Sequence, residues 1–324
     1  MTRETAQLLS ERNFLTAGGT ETYLLFQQQF PMREFCAFEI FNDEDAIAKL
    51  ESDYLYPLMS AVDEHGHGML LDTLTWRAHP DYIAALGYSP SDIKTLNELA
   101  VSRTKAVIDS WRVRESRTKD DFPVLIAAEI GPRGDGYRVD DSPTVEAAFD
   151  YHQAQIKVLA GTEVDVLCAW TMTNANEAIG IVKVAEELDL PVIISPTVET
   201  DGRLPDGSSL GDFIRRVDDA TNALPVFYTV NCAHPTHLMP TLDEAKAEGQ
   251  SWLTRFGGFR ANSSKKSHEE LDNSEALDRG NPRDLAKEVA TMQQTHDLKL
   301  VGGCCGTDVE HITAIAAATS HLGK

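Results

Sequence analysis

Residues 164–198 read VDVLCAWTMTNANEAIGIVKVAEELDLPVIISPTV. The stretch opens on an apolar run at 164–171, passes a polar turn, continues as a helical pattern over 175–188 and returns to an apolar run at 191–198. Neither run alternates with polar residues, so each reads as a strand covered on both faces. Two such strands joined by a helix make a parallel unit.

The same unit recurs in both directions. Apolar runs stand at 13–17, 68–73, 124–130, 164–171, 191–198, 225–231, 255–260 and 298–303. Helical patterns occupy 43–64, 92–114, 144–160, 175–188, 208–222, 238–249, 282–296 and 308–322. In the first of these, apolar side chains at 46, 47, 50, 54, 55, 58, 59 and 62 keep a helical period. Ser142-Pro143 and Asn281-Pro282 each predict a proline in the first turn of the helix that follows. Eight strands alternating with eight helices over 324 residues predict an α/β chain folded as one (β/α)8 TIM barrel, a single domain spanning 1–324. An open, doubly wound sheet would carry G-x-G-x-x-G after its first strand, whereas Gly18-Gly19-Thr20-Glu21 does not fit that pattern.

Composition narrows the function. With 42% hydrophobic and 25% charged residues the chain can bury a full globular core. Fifty-one acidic against 29 basic side chains leave a formal charge of -22, which argues against nucleic acid and against anionic lipid as partners. No window reaches the roughly 18 apolar residues of a membrane span. The first residues lack the apolar core of a signal peptide, and five cysteines do not make a disulfide framework. A cytoplasmic setting with reduced thiols is therefore expected.

In a barrel, chemistry belongs to the loops that follow the strands. Those loops hold Ala17–Thr22, Asp72–Trp76, Glu129–Pro132, Val230–Pro235 and Gly302–Thr307. Cys232 ends the sixth strand and Cys304 and Cys305 end the eighth, so three thiols can converge at one mouth. Adjacent cysteines both turn inward only if the backbone bends, which Gly302, Gly303 and Gly306 permit. Three thiolates hold Zn²⁺ and leave a fourth tetrahedral position for a substrate thiol, which the metal would keep deprotonated for attack on a methyl carbon. Spacing alone admits two other readings: buried apolar cysteines, as for Cys36 and Cys168, or a redox pair at 304–305.

Val230-Asn231-Cys232, followed about seventy residues later by Gly302-Gly303-Cys304-Cys305-Gly306-Thr307, resembles the homocysteine S-methyltransferase family. The resemblance extends to Thr16–Thr22, Ile130-Gly131-Pro132, Pro196-Thr197 with Asp206-Gly207, and Arg260-Ala261-Asn262-Ser263. It implies a zinc-dependent barrel with Cys232, Cys304 and Cys305 as metal ligands. It also implies a small-molecule thiol and a methyl donor as partners, with no catalytic residue beyond the metal site.

Two positions depart from the family pattern. Its first-strand Asp is Ala17 here, and the strand-four Glu that binds the amino group of homocysteine is matched by Trp170. Glu129 is expected to supply the missing amine-binding carboxylate, with Glu21 and Asp72 at neighbouring strand ends. A carboxylate satisfied by backbone donors or an arginine is the plainer reading. Trp76 and Trp170 could wall a thioether or face a cationic donor, or simply pack the barrel end. Asn231 could orient substrate or brace the metal loop, while His234 and His237 read as loop or helix-cap residues. The polar stretch 262–279 reads as a solvated loop, or else as a lid or anion clamp over the mouth. The expected activity is thus zinc-dependent S-methylation of homocysteine or a related thiol. The alternatives are a zinc barrel acting on another thiol, selenol or thioether, and a non-catalytic zinc protein. The methyl donor and the oligomeric state are left open.

Overall fold

The computed structural model describes residues 2–138, 142–272, 274 and 276–320. Eight strands run in parallel: β1 (Phe14–Thr16), β2 (Gly68–Asp72), β3 (Val124–Ile130), β4 (Val166–Met172), β5 (Val192–Pro196), β6 (Tyr228–Ala233), β7 (Phe256–Ala261) and β8 (Leu300–Gly303). They pair in chain order and close, with Phe14 of β1 opposite Leu300 of β8. The fold is the expected (β/α)8 TIM barrel.

A first helix, α1 (Thr2–Glu11), precedes the barrel. One helix then follows each strand: α2 (residues 44–64), α3 (Asp92–Glu115), α4 (Val145–Ala160), α5 (Ala175–Glu187), α6 (Leu210–Thr221), α7 (Pro235–Ala247), α8 (Pro282–His296) and α9 (Val309–Thr319). Their starts are chemically marked. The side chains of Thr144, Asn174, Ser209, Asn281 and Asp308 each accept a hydrogen bond from a backbone N–H of the first turn, worth about 1 kcal/mol apiece.

Four readings change. Pro143 lies ahead of the Thr144 cap, outside α4, because the threonine hydroxyl reaches the Ala147 amide and so sets the boundary. Helix α7 begins three residues before the expected 238, since His234 caps it and Pro235 takes its first position. Within α2, residues Glu51–Leu55 form a π-helical turn. Helix α1, a short helix at Pro80–Ala85 and the π and 3₁₀ turns between 23 and 42 carried no periodic signal.

Continuous burial explains the apolar runs: every strand residue is buried except Gly257. One set of side chains fills the barrel, including Phe14, Leu70, Leu125, Ala127, Cys168 and Leu300. The alternate set, including Leu15, Leu71, Ile126, Ile194 and Val301, packs under the helices. Cys36 and Cys168 are both fully buried among apolar neighbours. Among the described residues no helix is long and apolar enough to cross a membrane.

Candidate active site

Because strand side chains alternate, the residue two positions beyond an interior one also points inward, one layer nearer the mouth. Leu70 thereby leads to Asp72, Ala127 to Glu129 and Cys168 to Trp170. Arg260 on β7 joins them: its guanidinium donates to Asp72 Oδ2 at 2.8 Å and, through Nε, to the Gly303 carbonyl at 3.2 Å. The same guanidinium lies over the Trp170 ring, 4.4 Å from its centroid, while Trp170 Nε1 faces Asp72 Oδ1 at 3.4 Å. Trp170 is therefore a floor residue whose cation is the chain's own, and an external donor does not reach that face.

Glu129 lies beside this group and is 4% exposed. The Leu74 amide, turned by a left-handed backbone at φ +58, meets its carboxylate, while Oε2 has no hydrogen-bond partner among the described residues. Burial, then the charges of Asp72 and Glu21, push its pKa well above the usual carboxylate range. Burial raises that of Glu21 as well. Three carboxylates thus share one guanidinium at the barrel mouth, an arrangement short of positive charge.

The sulfur side obeys a different rule. Asn231 keeps the inward register: its Oδ1 accepts from Thr171 N and Ser195 Oγ, both at 2.8 Å, and its Nδ2 faces Cys304 Sγ at 3.9 Å. Cys232 would then point outward, but its φ of +59 and the register shift between Asn231 and Ala233 turn it back. Cys304 and Cys305 follow β8 in a turn closed by Thr307 N donating to the Cys304 carbonyl at 3.1 Å. Gly306 (φ +78) continues that turn, and a Cβ on Gly19 would sit 2.5 Å from the Cys304 carbonyl, so the first loop must be glycine where it meets the cysteines.

The three sulfurs lie within 4.8 Å of one another. Zinc–sulfur bonds of about 2.3 Å place tetrahedral sulfurs roughly 3.8 Å apart, so this soft donor set fits Zn²⁺ after a small contraction. The Cys304 and Cys305 thiols hydrogen-bond to Cys232, and they and His268 favour it as thiolate, well below the usual range. The Cys304 and Cys305 thiols are pushed up in return.

The homocysteine S-methyltransferase family profile matches residues 14–319. The chain belongs to the homocysteine S-methyltransferase family. It is 26% identical over 256 residues to Homocysteine S-methyltransferase YbgG of Bacillus subtilis (strain 168), covering 76% of this chain and 77% of that one. It is 23% identical over 294 residues to Homocysteine S-methyltransferase 3 of Arabidopsis thaliana, covering 85% and 80%. The crystal structure of the homocysteine methyltransferase MmuM from Escherichia coli, oxidized form, superposes with a TM-score of 0.73 at 18% identity over 98% of this chain and 99% of that one. Its metallated form gives 0.70 at 19% over 96% and 98%. Family membership makes this chain a methyltransferase.

In this family member an inner pocket brings the sequence-selected residues together. Glu21, Trp76, Glu129, Trp170, Asn231, Cys304 and Cys305 all line it, with Cys232 facing an adjoining outer cavity of about 370 Å³. Trp76 donates from Nε1 to Thr171 Oγ1 at 3.0 Å and stands between the two spaces. His234 is a helix cap, as read, and His237 bonds the Lys265 carbonyl.

Sequence reasoning missed Tyr137, Phe35 and His268, gave Arg260 no role, and assigned none to Asn262. Tyr137 hydroxyl lies 3.2 Å from Cys232 Sγ and 4.0 Å from Cys305 Sγ. It is fixed by Asp135, whose carboxylate accepts from the Tyr137 amide at 2.7 Å; the Gly134-Asp135-Gly136 turn was the available signal. Asn262 Nδ2 faces Cys232 Sγ at 3.6 Å. The stretch 262–279 is no solvated loop at its stem: Asn262, Ser263 and Ser264 are buried, and both serine hydroxyls bond Asp278. Its short helix, His268–Asp272, puts His268 against the Cys232 peptide. Burial alone would lower the pKa of His268, yet hydrogen bonds to Cys232 and Glu199 raise it to about 10.

Proposed function

We propose that the chain is a zinc-dependent S-methyltransferase for an amino-acid thiol of the homocysteine type, with Cys232, Cys304 and Cys305 as the metal ligands. The observation that carries this reading is the pairing of a three-sulfur cluster with an unpartnered buried carboxylate oxygen on Glu129, both reached from one pocket. Zinc, when bound, supplies the Lewis acidity that keeps a substrate thiol ionised at neutral pH.

The remaining roles fall to the protein. Glu129, with Glu21 beside it, takes the substrate ammonium group, and the incoming cation relieves the excess of carboxylates. This replaces the two carboxylates that Ala17 and Trp170 omit. Arg260, held by Asp72 and stacked on Trp170, keeps the carboxylate cluster from repelling the thiolate next to Cys304. Asn231 and Asn262 aim amide N–H groups at Cys304 and Cys232 and orient the sulfurs. The outer cavity, walled by Phe35, Trp76 and Tyr137, receives the methyl donor, and its aromatic faces suit a cationic methyl group. The nucleophilic sulfur forms the new bond to the methyl carbon while the donor heteroatom leaves with the bonding pair.

The test is product formation from L-homocysteine and a panel of sulfonium and quaternary ammonium methyl donors, before and after zinc removal and readdition. Methionine that appears only with zinc-loaded protein is expected. Zinc-loaded protein that methylates no thiol with any donor overturns the reading.

A further inference from the structure

Cys232 is the one cysteine of the cluster whose direction the pleat opposes. Its neighbour Asn231 points into the barrel, so an undistorted β6 would send Cys232 toward the helices. The left-handed backbone at φ +59 reverses that. Such a conformation is strained for a residue that carries a β-carbon and persists only where its surroundings enforce it.

One side chain engages this peptide and the sulfur's neighbour together. His268 Nε2 lies 2.8 Å from the Cys232 carbonyl oxygen, and its Nδ1 lies 3.0 Å from Glu199 Oε1 in the loop after β5. Both ring nitrogens therefore face acceptors. The imidazole also packs on Tyr137, centroids 4.4 Å apart at 42°, and the Tyr137 hydroxyl contacts Cys232 Sγ. His268 reaches Cys232 along two routes, through the carbonyl and through the sulfur.

We propose that His268 is a positioning residue of the metal centre: it holds the Cys232 peptide in the left-handed turn that brings this sulfur to Cys304 and Cys305. The stem at Asn262–Ser264, tied down by the Ser263 and Ser264 bonds to Asp278, and the His268–Asp272 helix then serve the site by delivering His268 to it. Retention of the metal depends on this stem and helix being seated. The inference rests on the zinc reading above.

Zinc affinity, measured by competition with a chromophoric chelator, and the absorption of the cobalt(II)-substituted protein read this directly, without turnover. His268→Ala should bind zinc about 10- to 100-fold more weakly, the range seen when a group supporting a metal ligand is removed. Its cobalt spectrum should lose sulfur-to-metal charge-transfer intensity. His268→Gln, which still offers an N–H to the carbonyl, should restore most of both. Wild-type affinity and spectrum in His268→Ala, or no recovery in His268→Gln, overturns the inference. Should His268→Ala fail to fold, Glu199→Ala carries the test: a smaller loss of zinc affinity supports the role, and wild-type affinity overturns it. Wild-type protein that takes up no zinc overturns the proposed function itself, a result distinct from either.

Discussion

The two sides of the barrel mouth are built from strand ends of one closed sheet and solve opposite problems. On the carboxylate side β2 and β3 stay regular and β4 shifts register only between Ala169 and Met172, with Thr171 at φ +59, so that alternation still lines up Asp72, Glu129 and Trp170 with the interior core. Charge is the difficulty there: three acids and one arginine are packed where water is scarce. On the sulfur side the backbone itself is bent, at Cys232 and at Gly306, and hydrogen bonds from Asn231, Asn262, Tyr137 and His268 hold the bend. On the proposed reading each side is completed by a cation: a divalent metal answers the three thiolates, and a substrate ammonium group answers the Glu129 carboxylate. The difference teaches where tolerance lies: a sulfur turned against the pleat is fixed strictly, whereas a strand position that keeps its alternation can exchange one side chain for another. On the same proposed reading, this is how Ala17 and Trp170 can stand where the family resemblance implies carboxylates, with Glu129 on β3 supplying one.

Breaking the sulfur side should have the largest effect. Cys304→Ala is expected to weaken zinc binding on the order of a thousandfold or more and to abolish methyl transfer, with the barrel intact by circular dichroism. Metal per chain after dialysis against a chelator checks this.

On the carboxylate side the largest change is structural. Arg260→Gln leaves Asp72 buried without its partner and should lower stability by about 3–5 kcal/mol in a denaturant titration. Adding Asp72→Asn to that variant should recover part of the loss, because the stranded charge is gone. No recovery would mean that the contacts of Arg260 with Gly303 and Trp170 dominate.

Glu129→Gln separates function from stability. It should raise KM for an amino-acid thiol roughly 10- to 100-fold, the cost of one charged hydrogen-bonding pair, while leaving zinc content unchanged. The folded-state pKa of Glu129 lies above its unfolded value. The wild type therefore has its full stability below the unfolded pKa and loses part of it as pH rises toward the folded one. Glu129→Gln removes that loss, so the zinc-free variant should melt a few degrees higher than wild type at pH 8 and close to wild type at pH 4. An unchanged KM would return Glu129 to a packing role.

The smallest effect is expected at the wall of the outer cavity. Trp76→Ala should raise KM for the methyl donor about threefold to tenfold, with thiol affinity and zinc content unaltered.

Much of this mouth was legible in the sequence because strands buried on both faces leave long apolar runs, and their ends name the loops. The cysteines were legible because Gly302, Gly303 and Gly306 announce a bend beside an adjacent pair. Glu129 stood out as a charge closing an apolar strand. Arg260 ends its strand in the same way, but its pairing with Asp72 crosses 188 residues and leaves no local pattern. Tyr137 and His268 reach the sulfurs from loops, where no periodicity fixes direction, and Phe35 lies among irregular turns. The left-handed turn at Cys232 was invisible for a further reason: the residue is not glycine, and its conformation is enforced from outside the strand.

The central claim is that the substrate's sulfur completes a three-cysteine zinc centre. X-ray absorption at the zinc edge, with and without L-homocysteine, tests it most directly. The account predicts three sulfur neighbours and one lighter atom in the resting protein, changing to four sulfurs when the thiol is added. A zinc shell that is already four sulfurs, or one that L-homocysteine leaves unchanged, would contradict it.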